Sequence, residues 1–399
     1  MGREQTDILV SGGGVAGLIA AAAFGAEGFR VLCVDPAPPV TDAQADGADL
    51  RSTAFLQPAV ALLRAAGVWD RLAPEATALQ VMRLIDAAGD PPAPRATHDF
   101  DAAEISDQPF GWNLPNWLLR RELVARLHDL PSVDFRPGTG FAGVTTREET
   151  ALVRLSDGTH VAARLLIGAD GRGSPVREAA GIGVRTARYG QKALAFAVTH
   201  PLAHDNVSTE IHLSGGPFTL VPLPDQNGVP ASAVVWMERG PEIRRLRALP
   251  DAKFAAAMTA RSCGVLGPLT RASQLTVWPI ISQIARRFTA QRTALMAEAA
   301  HVVPPIGAQG LNMSLADLAI LLELARARPE TLGDTAMLDT YERRRAIEVP
   351  VRVGGVDMLN RAAILSPRPL RDARAAALGV MHGMPPLRRA MMRLGLGLR

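Results

Sequence analysis

Three glycines near the start of the chain have a spacing that could bind a phosphate-containing cofactor. Gly12, Gly14 and Gly17 form the pattern G-x-G-x-x-G. In this pattern the first glycine permits a tight turn, the second lets a pyrophosphate approach the backbone, and the third lets a helix pack closely on a strand. Asp35 follows Gly17 by 18 residues, near the spacing of an acid that binds a ribose hydroxyl. Together these residues predict an ADP-containing cofactor.

A strand, a helix and a second strand must hold these groups in place. Residues 7–10 have the pattern of a short buried strand, residues 18–26 form an alanine-rich helical stretch, and residues 30–34 predict the next strand. The first turn of the helix would offer the free N–H groups of Val15 and Ala16, and the positive end of the helix dipole, to the phosphates. A glycine-rich turn in another kind of α/β protein is the alternative interpretation.

The composition is that of a globular protein. Of 399 residues, 48% are hydrophobic and 21% are charged, and this length suits two domains or one large composite domain. The sequence pI of about 9.6 comes mostly from arginine, and aromatic residues make up only 5%, so we expect no nucleic-acid partner. The two cysteines and the scattered histidines show no ligand spacing, so we also expect no metal.

Residues 8–26 form an uncharged stretch of nearly membrane-spanning length. Three glycines interrupt it early, and Glu4 and Asp7 lie where a signal peptide would carry positive charge. We therefore predict neither a membrane span nor a signal peptide, and we expect a cytoplasmic protein.

Two later segments could add polar groups to the same cofactor site. Residues 165–168 predict an apolar strand that ends in Ala169-Asp170-Gly171, which places a carboxylate at the edge of an open α/β sheet where cofactors gather. Residues 293–296 predict another strand, followed by Ala297-Glu298. A proline- and glycine-rich segment at 304–312 comes next, and a helix is predicted from 314 to 327.

These segments, in this order, resemble the group A flavin monooxygenases of the p-hydroxybenzoate hydroxylase type. Residues 49–54, 62–70 and 305–317, with the tail from Tyr341, are more closely similar to the ubiquinone-biosynthesis hydroxylases of the UbiH/VisC type. The resemblance implies FAD as the cofactor, O2 as a substrate and transient NAD(P)H or another electron donor. It also implies that a polyprenylated phenol or quinone precursor is hydroxylated on its aromatic ring.

The resemblance supplies most of the expected cofactor-binding residues, with some departures. The family's Gly-Asp pair is Ala297-Glu298 here, its Ala-Gly pair before Gln309 is Gly307-Ala308, and its Asn-Arg pair is Asn116-Trp117. Backbone N–H groups at the start of the last helix would stabilise negative charge on the flavin ring. The predicted cofactor-binding residues are Gly12, Gly14, Val15, Ala16, Gly17, Asp35, Arg51, Asn116, Arg121, Asp170, Glu298, Gly310, Leu311 and Asn312. For Arg121 a plain position on a helix surface is an equal alternative. No acid or base stands out, and His301 is expected to pack near the ring without proton chemistry.

The expected fold class is α/β. A discontinuous Rossmann-like FAD-binding domain with a mixed or parallel sheet takes residues 1–76, 112–185 and 281–345. A mostly antiparallel sheet at 77–111 and 186–280 forms the substrate domain, and residues 346–399 form a C-terminal helical region. Strand alternation at 193–198, 217–223, 231–237 and 275–280, with a hairpin turn at Gln226-Asn227-Gly228, supports the second sheet.

Two alternatives for the function stay open. The chain could be another flavoenzyme of this type acting on a different aromatic substrate, or a non-catalytic subunit of a ubiquinone-biosynthesis complex. The predicted helix at 385–399 is basic, with one apolar face made of Leu387, Met391, Leu394 and Leu398. A peripheral contact with the inner membrane, a contact with a ubiquinone-synthesis complex and ordinary packing are the three interpretations of this helix.

Overall fold

The computed structural model describes residues 4–364 and 368–397. The strands are β1 (Glu4–Ser11), β2 (Val31–Asp35), β3 (Ser52–Leu56), β4 (Thr77–Leu79), β5 (Val81–Ala88), β6 (Ala93–Asp101), β7 (Gly111–Pro115), β8 (Val133–Pro137), β9 (Phe141–Thr146), β10 (Ala151–Leu155), β11 (His160–Gly168), β12 (Val184–Thr199), β13 (Val207–His212), β14 (Pro217–Gln226), β15 (Val229–Arg239), β16 (Thr270–Arg271), β17 (Thr276–Ala285), β18 (Thr289–Ala290), β19 (Thr293–Leu295) and β20 (His301–Val302). The helices are α1 (Val15–Ala26), α2 (Gln57–Ala65), α3 (Trp69–Leu72), α4 (Asn116–His128), α5 (Pro175–Ala179), α6 (Gly240–Arg247), α7 (Asp251–Arg261), α8 (Gln309–Ala327), α9 (Thr335–Ile364), α10 (Arg368–Gly383) and α11 (Pro385–Leu396).

The first sheet has the strand order β18-β19-β11-β1-β2-β8, and β9 and β10 extend it beside β11. The strands from β19 to β8 run parallel to one another. Ile8, Leu9 and Val10 of β1 have no solvent exposure, because the strand is covered on both faces. This double burial explains why β1 is a continuous apolar run rather than an alternating one.

The second sheet has the order β20-β17-β12-β15-β14-β13-β5-β6. Its neighbours are antiparallel except for the parallel pair β13 and β5. The predicted hairpin joins β14 to β15, and Asn227 and Gly228 adopt φ values of 53° and 76°, as the turn requires. The predicted α/β fold with a mostly antiparallel second sheet is confirmed.

The two faces of this second sheet differ in character. Large side chains such as Phe196 and Trp236 pack against Phe254 and Met258 of α7 on one face. The other face consists mainly of small aliphatic side chains from β12, β14 and β15: Ala193, Ala197, Val221, Leu223, Ala231 and Ala233.

A small third sheet, β3-β7-β4, lies beside β14, and α9 to α11 follow at the end of the chain. The predicted domain boundaries stay predictions, and β17 continues past residue 280 to Ala285. Within residues 4–364 and 368–397, no helix combines the length and the apolar character needed to cross a membrane.

Candidate functional site

The predicted cofactor groups come together where neighbouring parallel strands end. Gly12 follows β1, Asp35 ends β2, Asp170 follows β11, and Glu298 follows β19. These four strands are adjacent in the order β19-β11-β1-β2. The carboxyl ends of parallel strands share one edge of a sheet, and ligands bind in the crevice at that edge in open α/β folds.

The glycine turn is packed so tightly that a side chain at two of its glycines would clash with the backbone. Gly12 has φ +122°, and a Cβ there would lie 2.3 Å from the carbonyl oxygen of Ala169. A Cβ on Gly17 would lie 1.9 Å from the carbonyl oxygen of Gly12. Gly14 is different, because its Cβ would meet nothing within 4 Å. Gly12 and Gly17 are therefore required by the fold, whereas Gly14 borders open space at the start of α1.

No side chain caps the N-terminus of α1. The N–H groups of Val15 and Ala16 lie in this first turn, where the helix dipole favours a negatively charged ligand. Asp35 lies beside the turn, and its carboxylate accepts hydrogen bonds from the N–H of Gly13 at 2.5 Å and of Ala37 at 2.9 Å. The turn, the helix end and the acid thus have the arrangement that a dinucleotide requires.

Asp170 provides a carboxylate oxygen that no described residue satisfies. Its Oδ2 accepts hydrogen bonds from the Ser11 hydroxyl at 3.3 Å and the Val176 N–H at 3.1 Å. Its Oδ1 is buried and receives no hydrogen bond from residues 4–364 or 368–397. Burial raises the pKa of Asp170. A buried acceptor without a donor is costly, so this oxygen fits a ligand that can donate a hydrogen bond.

Arg51 is part of a polar cluster at the start of β3. Its guanidinium forms two hydrogen bonds to Asp49, at 2.7 and 2.6 Å, and lies 5.2 Å from the ring centroid of Trp278. The side-chain amide of Asn116 donates to the same Asp49 carboxylate at 3.0 Å. Burial alone would raise the pKa of Asp49, but the Arg51 and Asn116 contacts outweigh it and lower that pKa. The predicted pair Arg51 and Asn116 is thus joined through Asp49.

Arg120 and Arg121 have different surroundings on α4. Arg120 extends toward Asp49, with a distance of 3.5 Å between Nη2 and the carboxylate. Arg121 pairs with Glu122 at 2.8 Å, lies over the Trp117 ring, and has a side chain 51% exposed. The sequence reasoning missed Arg120, because the two arginines are adjacent and only the direction of the helix face distinguishes them. Cofactor contact by Arg121 stays a prediction.

Glu298 lies exposed in a short 3₁₀ turn, Ala297–Ala299. The hydrogen bond to Asp49 raises the pKa of Arg51, and the negative charge of Glu298 adds to this effect. Ala297 has φ +56°, a left-handed conformation that strains a residue with a Cβ. Ala308, the residue before α8, also has φ +56°. The two alanines that depart from the resembled pattern therefore occupy the backbone conformation that favours glycine.

The segment before α8 is held by Asn312. Its side-chain oxygen accepts from the Leu56 N–H at 2.9 Å, and its side-chain nitrogen donates to the carbonyls of Ala54 and Ala308 at 2.8 and 2.6 Å. The helix begins at Gln309, five residues before the predicted start. Gly310 and Leu311 thus lie in its first turn, where unpaired backbone N–H groups can face an anionic ring.

A buried ionic cluster joins the Ala297–Ala299 turn to α8 and α9. Asp317 of α8 accepts hydrogen bonds from the Ala297 N–H at 3.0 Å and from His301 Nε2 at 2.8 Å. It also pairs with Arg345 of α9 at 2.7 Å, and both side chains have no solvent exposure. His301 is buried against Asp317, and its expected place near the ring without proton chemistry stays a prediction. Asp317 thus links α8 to the turn that contains Glu298. The sequence alone indicated no role for Asp317 in this contact.

Comparisons with known proteins show the family and the fold of this chain. The family model described as FAD binding domain matches residues 5–350. The ubiquinone hydroxylase UbiL of Rhodospirillum rubrum is 34% identical over 397 residues, covering 99% of this chain and 90% of that protein. The 3-demethoxyubiquinol 3-hydroxylase of Escherichia coli is 28% identical, with 100% of both chains covered.

Among solved structures, the p-nitrophenol 4-monooxygenase PnpA of Pseudomonas putida DLL-E4 has a TM-score of 0.78 and 20% identity. The match covers 99% of each chain, and at this identity it shows a common fold. The resemblance inferred from the sequence is confirmed, as are FAD as the cofactor and flavin-dependent oxygenation as the chemistry. The chain belongs to the FAD binding domain family, and it is an FAD-dependent monooxygenase.

Proposed function

We propose that this enzyme hydroxylates the aromatic ring of a polyprenylated phenol or quinone precursor in ubiquinone biosynthesis. Relatives that match along nearly their whole length are named as ubiquinone hydroxylases. Bound FAD would take two electrons from NAD(P)H or another donor and use O2, so that one oxygen atom enters the ring and the other leaves as water. The protein would bind and orient the substrate and exclude water from it.

The observation that carries this proposal is the apolar face of the second sheet next to residues 304–312, the segment around the start of α8. Ile306, in the segment before α8, packs with Ala193 and Met237 on the small-residue face of the second sheet. Ala231 and Ala233 continue the same face along β15 and are buried. Alanine side chains offer no partner for a charged substrate, so a face of this kind favours a neutral ring with a hydrocarbon tail.

For the cofactor, we propose that the glycine turn and the N-terminus of α1 bind the pyrophosphate. Asp35 would bind the ADP ribose, and Asp170 Oδ1 would accept a hydrogen bond from FAD. Arg51, Asn116, Glu298 and the N–H groups of Gly310, Leu311 and Asn312 would surround the rest of the cofactor. The uncapped helix end and the unsatisfied Asp170 oxygen support this assignment.

Gly14→Ala separates the cofactor's requirement from that of the fold. The new Cβ would meet nothing in the protein, and Gly14 has an ordinary φ of −70°. It would, however, occupy the space through which the pyrophosphate approaches the backbone. We expect unchanged thermal unfolding without FAD and at least about tenfold weaker FAD binding, as loss of one charge-assisted contact would give. Gly17→Ala is the matched control and should lower the unfolding temperature itself.

The hydroxylation is tested with flavin-loaded protein, a chemical reductant, isotopically labelled O2 and a set of polyprenylated phenols. We expect one labelled oxygen atom in the ring of one of these phenols. Flavin oxidation that yields only hydrogen peroxide with every phenol would overturn the proposed substrate class. Absence of bound flavin in the purified protein, with none taken up on adding FAD, would favour the non-catalytic subunit instead.

We also propose that the C-terminal helices contact the inner membrane or a ubiquinone-synthesis complex. The predicted helix is present as α11, Pro385–Leu396. Leu387, Met391 and Leu394 are exposed on it, and Leu398 lies outside the described residues. An apolar face left uncovered at the surface supports an interaction at this place.

A further inference from the structure

Exposed apolar side chains concentrate in the last quarter of the chain. Within the described residues, nine of the twelve exposed large hydrophobic side chains lie between Ile347 and Leu394. On α9, Ile347, Val351 and Met358 are 74%, 72% and 67% exposed. Spacings of four and seven residues place them on one face of the helix, opposite the buried Val349 and Val356. α9 is therefore apolar on both its packed face and its outer face.

Helix α11 has the same arrangement. Met392 and Leu396 are buried in a cluster with side chains from β6 and the β6–β7 connection. Leu387, Met391 and Leu394 lie on the opposite face and are 41%, 45% and 67% exposed. An amphipathic helix packed on a protein turns polar residues outward. Here the outward face is apolar, so burial within this chain does not account for it.

The charge of this region is as unusual as its apolar surface. Residues 335–399 contain twelve arginines, no lysine and five carboxylates, which gives a net charge of +7. The whole chain carries +4, so the remaining 334 residues carry −3. Many of these arginines pair with carboxylates, but Arg343 and Arg393 form no ion pair with any residue that the structure describes. Positive charge and apolar surface therefore occupy the same helices.

From this combination we infer that the outer faces of α9 and α11 bind the protein to the surface of an anionic lipid bilayer. Apolar side chains enter the boundary between headgroups and acyl chains, and arginines beside them bind the lipid phosphates. A second copy of this chain would instead bring Arg343 and Arg393 of two such surfaces together, which like-charge repulsion opposes. An anionic bilayer offers a partner both for the exposed apolar side chains and for the arginines.

Hydrogen bonds connect this surface to the start of α8. The carbonyl oxygen of Gly395 in α11 accepts from Gln309 Nε2 at 3.2 Å, and Arg352 of α9 donates to Gln309 Oε1 at 3.2 Å. Gln309 is the first residue of α8, beside Gly310 and Leu311. Binding of this surface to the bilayer would thus place the start of α8, part of the proposed flavin site, close to the lipid from which a polyprenylated substrate comes. This last step rests on the proposed function, whereas lipid binding does not.

The experiment measures co-sedimentation of the flavin-loaded protein with unilamellar vesicles. One set contains equimolar phosphatidylcholine and phosphatidylglycerol, and the other contains phosphatidylcholine alone. We expect binding mainly to the anionic set. Met391→Glu with Leu394→Glu should weaken it by more than about tenfold, and Arg343→Gln with Arg393→Gln by about fivefold for each charge removed. Leu202→Glu is the matched control, since Leu202 is 54% exposed but lies outside this region.

The inference is overturned if wild-type protein does not sediment with anionic vesicles, or if Leu202→Glu weakens binding as much as the α11 variant does. It is also overturned if the wild type forms a dimer in light scattering that the α11 variant dissolves. Unchanged thermal unfolding of each variant shows that the fold is intact. Because no substrate or reductant is present, a failure of hydroxylation leaves this test unaffected, and a failure of lipid binding leaves the hydroxylase proposal standing.

Discussion

Replacing Arg345 with methionine should destabilise this protein far more than the same change at its neighbour Arg344. Arg345 pairs with Asp317 at 2.7 Å, and neither side chain has solvent exposure. Arg344 forms an ion pair with Glu323 in which the side chains are 42% and 60% exposed. Methionine retains most of the aliphatic volume in both variants, so the comparison isolates the charge.

Removing one partner of a buried ion pair costs about 3–5 kcal/mol, because the other charge stays buried without compensation. Asp317 keeps its hydrogen bonds from His301 and the Ala297 N–H, so we expect about 3 kcal/mol for Arg345→Met, the lower end of that range. An exposed pair contributes at most about 1 kcal/mol, which sets the expected cost of Arg344→Met.

Urea unfolding of the two variants, followed by circular dichroism, measures the difference in free energy of unfolding. A difference below about 1 kcal/mol would refute the reasoning, because it would mean that Asp317 is not a costly buried charge once Arg345 is gone. Since Asp317 also holds the N–H of Ala297, we expect Arg345→Met to weaken FAD binding as well, measured by quenching of flavin fluorescence. Arg344→Met should leave FAD affinity unchanged.

Three further tests concern the site and the second sheet. Burial raises the pKa of Asp170, so its ionised form lowers the free energy of unfolding at neutral pH. Asp170→Asn should therefore raise the melting temperature of the protein without FAD. It should also weaken FAD binding about tenfold, because the proposed acceptor for the FAD hydrogen bond is lost. Ala297→Gly should stabilise the protein by about 1 kcal/mol in urea unfolding because it relieves a positive φ, whereas Ala300→Gly, at φ −92°, should destabilise it. Burial raises the pKa of Glu238 from 4.5 to about 7, so wild-type stability falls as pH rises through that window; Glu238→Gln should remove this fall, by up to about 3 kcal/mol between melts at about pH 5 and about pH 8.

The sequence by itself determined the fold class, the cofactor and the chemistry. The glycine turn, Asp35 and Asp170 could be placed from sequence because each lies at the end of an apolar strand, and parallel strands meet at one edge. A strand and the turn after it depend on only a few consecutive residues, so a short sequence pattern is enough to predict them. The resemblance of the three ordered motifs to the group A flavin monooxygenases then implied FAD rather than another ADP-containing cofactor.

Tertiary structure alone decided which groups support that site. Asp317 and Arg345 are 28 residues apart, and no local pattern in either helix predicts that the two side chains form an ion pair shielded from solvent. The left-handed conformations of Ala297 and Ala308 were also hidden, because alanine normally avoids them and the surrounding fold imposes them. The outer apolar face of α9 follows the same rule. Apolar residues lie on two opposite sides of this helix, and only the packing shows which side the protein covers.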